Sequence, residues 1–295
     1  MKNRGITIEH AVFGVAFLSA LIIRLISLGN NPLSDSEAAL AMQAVRVSGG
    51  EAFAFGPQPL YVILTSIIFY LFNSTVFAAR IIPALTGCLL IFVPYLLRNR
   101  IGKRASMILA FAFVFDPGFL ALSRMADGRI MAVVFGLFAF VFILDKKPSL
   151  TGLCVSLALL SGQFIWQLIV TLLVVWGWVY LNKKFSVSNE KDESDDELQD
   201  SMEGDEKDRW NWRKAILWFL GTLVLTGTIF FWKPAGISSI FNGVVEYLKG
   251  WTSVSSASIS RILLGLAFYE LLPVFFGVWG GIYGWVKVDE TDRIL

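Results

Sequence analysis

Long apolar stretches separated by short polar loops dominate the chain. A helix needs roughly 20 apolar residues to cross about 30 Å of hydrocarbon, and several stretches approach or exceed that length. The stretches are Ala11–Leu28, Pro59–Phe72, Val76–Leu97, Ala105–Leu122, Ile130–Leu144, Leu150–Leu181, Ala215–Trp232 and Ile262–Val286. The pattern predicts an all-α, polytopic integral membrane protein with about eight membrane helices, and a break at Ser161-Gly162-Gln163 makes 150–181 a hairpin of two short helices.

Two further segments have the pattern of helices that lie in the plane of the membrane surface. Ser34 and Glu37 form an S-x-x-E capping box, which predicts a helix over Asp35–Val47 that ends at Gly49-Gly50. A second segment repeats apolar residues at helical spacing. Those residues are Ile237, Ile240, Phe241, Val244, Val245, Leu248 and Trp251. We expect both helices on the outer face.

The distribution of basic residues predicts which loops are cytoplasmic. Lys2 and Arg4 place the N-terminus inside, and the four bases of Arg98–Arg104 mark another inner loop. These assignments conflict if both Pro59–Phe72 and Val76–Leu97 cross, because the basic loop would then lie outside. We therefore predict that the shorter stretch is re-entrant or interfacial. With both termini cytoplasmic, the loops that carry Asp35 and Asp127 lie on the outer face of the plasma membrane.

Composition agrees with a membrane protein and divides the chain into three parts. The sequence is 56% hydrophobic with a mean hydropathy of +0.65 and a net charge of +2. Residues 186–209 contain 11 acids and three bases, which predicts a disordered acidic cytoplasmic linker and leaves a body with 22 bases and 12 acids. The predicted parts are a transmembrane module over 1–185, the linker over 186–209, and further membrane helices over 210–295.

Two outer loops collect the polar residues that could carry chemistry. Asp35 and Glu37 lie in the first, and Arg124, Asp127 and Arg129 lie in the second. A structural alternative stays open for each loop, since the first two acids could serve only as helix caps and the other three residues could contact headgroups and pair locally.

Three residues lie within or beside the membrane helices. Arg80 is expected near the outer surface, and Asp116 and Glu270 are acids at membrane depth. Asp116 precedes Pro117 and could instead cap the kink there. The chain has no Walker loop, dinucleotide fingerprint, nucleophile elbow or zinc-ligand spacing, and its single histidine excludes a histidine-based metal site.

The order of these motifs resembles the GT-C membrane glycosyltransferases, such as protein O-mannosyltransferases, aminoarabinose transferases and archaeal-type oligosaccharide enzymes. The resemblance covers about residues 10–180. It is carried by Pro32-Leu33-Ser34-Asp35-Ser36-Glu37, Pro57-Gln58-Pro59-Leu60, Ala79-Arg80-Ile81-Ile82-Pro83-Ala84-Leu85-Thr86-Gly87 and Ser123-Arg124-Met125-Ala126-Asp127. It implies an inverting transferase that moves a sugar from a polyprenyl-phosphate donor to a protein, glycan or lipid acceptor.

The resemblance also implies roles for particular residues. Asp35 matches the catalytic base and Asp127 the second external acid, although many relatives place that acid a residue or two later, where this chain has Arg129. Arg80 matches the arginine that holds the donor phosphate, with Arg124 and Arg129 expected to assist. Glu37 and Glu270 would give support.

No cofactor is required by this chemistry. A divalent metal is compatible with it, but no ligand pattern indicates one. Besides donor and acceptor, membrane lipids are the expected partners. No binding to nucleic acid is expected. Two alternatives remain: a carrier or flippase for a lipid-linked sugar, and a non-catalytic membrane scaffold.

Overall fold

The described part of the chain is helical and contains no strand. The computed structural model describes residues 8–51, 56–162, 165–171, 173–174, 177–178, 211–228, 235–252, 258–269, 275 and 278–279. The acidic segment 186–209 and the predicted support residue Glu270 therefore lie outside the described residues, as does part of the second half of the 150–181 hairpin.

Twelve α-helices have defined bounds within the described ranges. They are α1 (Ile8–Leu25), α2 (Asp35–Ser48), α3 (Pro59–Phe72), α4 (Val76–Cys88), α5 (Phe92–Ile101), α6 (Lys103–Phe115), α7 (Pro117–Ser123), α8 (Arg129–Leu144), α9 (Pro148–Ser161), α10 (Trp212–Gly227), α11 (Ala235–Thr252) and α12 (Ile259–Tyr269). A short 3₁₀ helix, Leu89–Ile91, joins α4 to α5. The sequence prediction of an all-α fold is confirmed for these residues.

The expected eight membrane helices are not supported by helix length and hydropathy. Among the described residues, the continuous helix Val76–Ile101 is long and apolar enough to cross a bilayer. A second span exists only if α6 and α7, which meet at a bend of 54°, count as one. Helices α3, α8 and α9 are apolar but shorter than 18 residues. The predicted stretch Ala105–Leu122 is divided by the bend at Asp116, and the predicted stretches at α3 and α8 form helices of 14 and 16 residues.

Three helical segments define two opposite ends of the helical body. We call the end that contains Arg80 and the turn over residues 124–129 the Arg80 end, and the end that contains Glu9 and residues 98–104 the Arg98 end. Helix α1 runs from the Arg98 end to the Arg80 end, whereas the Val76–Ile101 segment and α8 run back.

The chain starts α3 at the Arg80 end and is back at that end by Arg80, in the first half of α4. Gln58, which precedes it, contacts Gly128 at the Arg80 end, and Arg80 itself follows soon after the helix. The chain between Pro32 and Arg80 thus begins and finishes at one end, since Arg80 also contacts the Pro32 carbonyl. Whether Pro59–Phe72 is re-entrant or interfacial stays a prediction.

Helix α3 also supplies the centre of the larger apolar core. Its buried side chains include Leu60, Tyr61 and Val62, which pack with residues of α2, α4, α8 and α9. The Tyr61 hydroxyl is satisfied there, since it donates to the Ala79 carbonyl at 2.9 Å. A smaller core joins α1 to α6 and the α4–α5 segment. Its members are Phe13, Ala16, Ala20, Cys88, Ile91, Ala110 and Val114.

Candidate functional site

The site is organised around the carboxylate of Glu37, which is buried at the start of α2. Ser34 accepts a hydrogen bond from the Glu37 backbone, and the Ser34 N–H donates to Glu37 Oε2 at 2.9 Å. This is the capping box that the sequence predicts. Only 4% of Glu37 is exposed, however, which the capping pattern alone does not indicate.

Arg80 forms an ion pair with this carboxylate and uses its remaining hydrogen-bond donors on nearby backbone carbonyls. Nε and Nη2 donate to the two Glu37 oxygens at 3.2 and 3.1 Å. The remaining donors reach the backbone carbonyls of Leu28, Asn31 and Pro32 at 2.9–3.2 Å. A guanidinium has five N–H groups, and all five are used here. In this arrangement no Arg80 donor is left for a donor phosphate, and Arg80 ties the first loop and α2 to α4.

The second acid-bearing loop docks directly on the first. The Ala126 N–H donates to Glu37 Oε1 at 2.6 Å, which joins the turn before α8 to the start of α2. Burial alone would raise the pKa of Glu37, but the hydrogen bonds from Arg80, Ser34 and Ala126 outweigh it and lower the pKa to about 2. Glu37 is therefore an ionised structural group across the physiological pH range.

Asp127 is also buried, with 3% of its surface exposed, but its surroundings are less favourable to charge. Its carboxylate accepts the Arg129 backbone N–H at 3.0 Å and forms an ion pair with Arg129 Nε at 3.0 Å. Burial and the nearby charge of Glu37 raise the pKa of Asp127, and Arg129 offsets part of that increase. The two buried acids of the site thus have pKa values shifted in opposite directions.

Gln58 contributes to the site although sequence reasoning did not select it. Its Oε1 accepts the Gly128 N–H at 2.6 Å, and its side chain lies against Gly162, whose φ of +139° favours glycine. A Cβ at Gly128 would overlap the Ser161 carbonyl oxygen. The end of α9 and the turn before α8 therefore meet closely around Gln58. The sequence signal that could have identified Gln58 is its position as a polar residue between Pro57 and Pro59.

Asp35 differs from the other acids because its side chain is exposed. It lies two residues before Glu37, in the first turn of α2, and forms no hydrogen bond or ion pair within the described residues. The helix N-terminus favours its negative charge. An accessible, unpaired carboxylate beside a rigid buried pair is chemically competent to accept a proton from a bound molecule.

Arg124 and Asp116 have local structural contacts. The Arg124 guanidinium donates to the Ile23 carbonyl at 2.8 Å and the Ser27 carbonyl at 3.4 Å, where it satisfies the C-terminal end of α1. Asp116 accepts the Phe119 N–H at 2.7 Å and caps α7. The capping interpretation of Asp116 is thus confirmed. No group of three metal-ligating side chains occurs among the described residues.

Comparisons with family models, curated proteins and solved structures gave no significant match to the chain. The functional interpretation therefore depends on the sequence motifs and on the contacts described above.

Proposed function

We propose that the protein is a polytopic integral membrane protein of the plasma membrane, with the Arg80 end on its outer face and both termini cytoplasmic. Its exterior supports this, because large apolar side chains project outward from several helices. On α1, Val15, Leu18 and Ile22 follow helical spacing and are each more than half exposed. Its 18 residues extend about 27 Å, close to the hydrocarbon thickness.

We further propose that it is an inverting membrane glycosyltransferase of the GT-C kind. The observation that carries this proposal is the contact between the two acid-bearing loops through Glu37 and Ala126. This contact brings Asp127 and Arg129 to the same end as Asp35 and leaves Asp35 exposed. Such an arrangement offers a general base, a second acid and cationic groups on one face of the membrane.

In the proposed reaction, Asp35 accepts the proton of the acceptor hydroxyl or amine. The acceptor atom forms a bond to the anomeric carbon from the side opposite the donor phosphate, and the carbon–oxygen bond to that phosphate breaks. Polyprenyl phosphate leaves with the bonding electrons, and Arg129 and Arg124 stabilise its charge. Asp127 holds Arg129 in position. Arg80 and Glu37 fix the loop that presents Asp35 and do not contact substrate.

The decisive experiment compares sugar transfer by the wild type and Asp35→Asn. Radiolabelled polyprenyl-phosphate hexoses are incubated with the purified chain in liposomes and a mixture of protein, glycan and lipid acceptors. Asparagine keeps the shape of aspartate but cannot accept the proton, so we expect transfer to fall by roughly 10²–10⁴-fold. The melting temperature should change little, because Asp35 has no partner whose loss would destabilise the fold.

Asp145→Asn is the matched control, since it neutralises an acid at the Arg98 end and should preserve transfer. Near-wild-type transfer by Asp35→Asn would contradict the proposed base. Movement of the labelled lipid across the liposome membrane without any release of polyprenyl phosphate would instead favour the carrier alternative.

A further inference from the structure

A groove at the Arg98 end lies between α1 and the α4–α5 segment, away from the acids discussed so far. It has a volume of about 330 Å³, within the range of small-ligand sites. Most of its wall is apolar, and only His10 and Tyr95 carry polar groups. The lining residues are His10, Phe13, Gly14, Phe17, Ile91, Phe92 and Tyr95.

The two polar residues mark one end of the groove. The Tyr95 hydroxyl and His10 Nε2 are 3.4 Å apart. Arg98 lies over the Tyr95 ring, 4.0 Å from its centroid. From this point Gly14 and Phe17 continue along α1 toward the interior of the body. The groove is therefore amphipathic along its length, with an apolar trough and a polar, cationic mouth.

Positive charge exceeds negative charge around that mouth. Glu9 is shared by Arg98 at 3.5 Å and Lys103 at 3.3 Å, so one carboxylate faces two cations. Lys103 is 74% exposed, and Arg104 is exposed with no hydrogen bond or ion pair in the described part of the chain. An anion at the mouth would complement this excess.

We propose that the groove binds one anionic glycerophospholipid of the surrounding bilayer. One acyl chain lies in the trough beside Gly14, Phe17 and Phe92, and the phosphate contacts Lys103 and Arg104. The proposal requires that the body is embedded in a membrane, but it is independent of transferase activity, because this groove and Asp35 lie at opposite ends of α1.

Gly14 allows a specific test of the apolar part. A Cβ built on Gly14 meets no other atom within 4 Å, so a larger side chain can start there and occupy the groove that Gly14 lines. Gly221 on α10 has the same open surroundings and provides a matched control. The probes are phosphatidylglycerol and phosphatidylcholine with identical chains, titrated onto the purified full-length chain in a neutral detergent and followed by native mass spectrometry.

We expect the wild type to retain one phosphatidylglycerol about fivefold or more in preference to phosphatidylcholine. Gly14→Phe should abolish this adduct, whereas Gly221→Phe should keep it. Thermal melts accompany both variants to establish that they fold. Glycerol 3-phosphate, which has the anionic group without the chain, should not displace the bound lipid.

Lys103→Gln combined with Arg104→Gln tests the mouth without any effect on packing, since both side chains are exposed. We expect this variant to bind the two lipids equally. Equal binding of the two lipids by the wild type, or an unchanged preference in the glutamine double variant, would overturn the proposal. If Gly14→Phe folds and retains phosphatidylglycerol like the wild type, the groove is not the binding site.

Discussion

The two ends of the helical body contain the same kinds of ion pair, but the bases differ in exposure, since Glu9 is 14% exposed and its partners are more exposed than Arg80. At the Arg80 end, Arg80 and Glu37 are 3.1 Å apart, with side chains 8% and 6% exposed. At the Arg98 end, Glu9 pairs with Arg98 and with Lys103, whose side chains are 29% and 74% exposed. The first pair uses every guanidinium donor, whereas the second has bases in excess.

This difference indicates that burial and hydrogen-bond saturation separate a structural ion pair from a binding surface. Charges removed from water must be fully paired, and their partners are then unavailable to ligands. Exposed charges lose little when unpaired and can exchange partners. The Arg80 pair thus holds the fold around Asp35, and the Arg98 end retains cations that can meet an external anion.

Breaking the buried pair should produce the largest effect. Arg80→Met keeps most of the side-chain volume but leaves Glu37 buried without its cation. We expect the free energy of unfolding to fall by about 3–5 kcal/mol, measured by denaturation in mild detergent. The Glu37→Leu and Arg80→Met double variant should lose less than the sum of the two single variants. Additive losses would show that the pair is not coupled.

Low pH should reveal how much the same ion pair contributes to stability, because it protonates Glu37. That pKa is about 2 in the folded protein, below the ordinary value of 4.5, so ionised Glu37 stabilises the fold above pH 4.5. The contribution is lost as pH falls from about 4.5 to about 2. Unfolding measured across this range should therefore depend less on pH in Glu37→Gln than in the wild type.

The raised pKa of Asp127 acts in the opposite direction, since its protonated form is favoured by folding. An Asp127→Asn variant measured in parallel separates the two contributions. Identical pH dependence in the wild type and Glu37→Gln would contradict the assignment of a lowered pKa to Glu37.

The smallest effect is expected at the Arg98 end. Glu9→Gln removes the acid shared by Arg98 and Lys103, both of which retain contact with water. We expect the free energy of unfolding to change by about 1 kcal/mol or less, and this difference from the wild type to shrink as salt is added. A loss as large as that of Arg80→Met would mean that exposure does not distinguish the two ends.

Local features of the site were predictable from the sequence. The Ser34 and Glu37 spacing specifies the start of α2, which begins at Asp35 as predicted, and α3 has the predicted bounds Pro59–Phe72. The Asp116-Pro117 pair predicts the break between α6 and α7. Each of these signals acts within about one helical turn, where backbone hydrogen bonding is decided by neighbouring residues.

Long-range pairing was not predictable in the same way. Glu37 and Arg80 are 43 positions apart, and Glu37 and Ala126 are 89 apart. Placing Asp35 and Glu37 in one helical turn does not reveal which acid turns inward. The resemblance implies a ligand-binding role for Arg80, whereas the structure shows its donors bound to Glu37 and to backbone carbonyls. The small-residue contacts at Gly128 and Gly162 likewise depend on segments that are distant in sequence.

The donors of Arg80 also have a consequence for biosynthesis. The loop over residues 28–32 leaves the ribosome well before Arg80, which supplies the hydrogen bonds for three of its carbonyls. The Glu37 carboxylate receives its hydrogen bond from the Ala126 N–H only after residue 126 has also been synthesised. Assembly of this end therefore has to follow synthesis of the Val76–Ile101 helix and of the turn before α8. A nascent chain that ends before residue 80 would carry the acid-bearing loop without the arginine that pairs with Glu37.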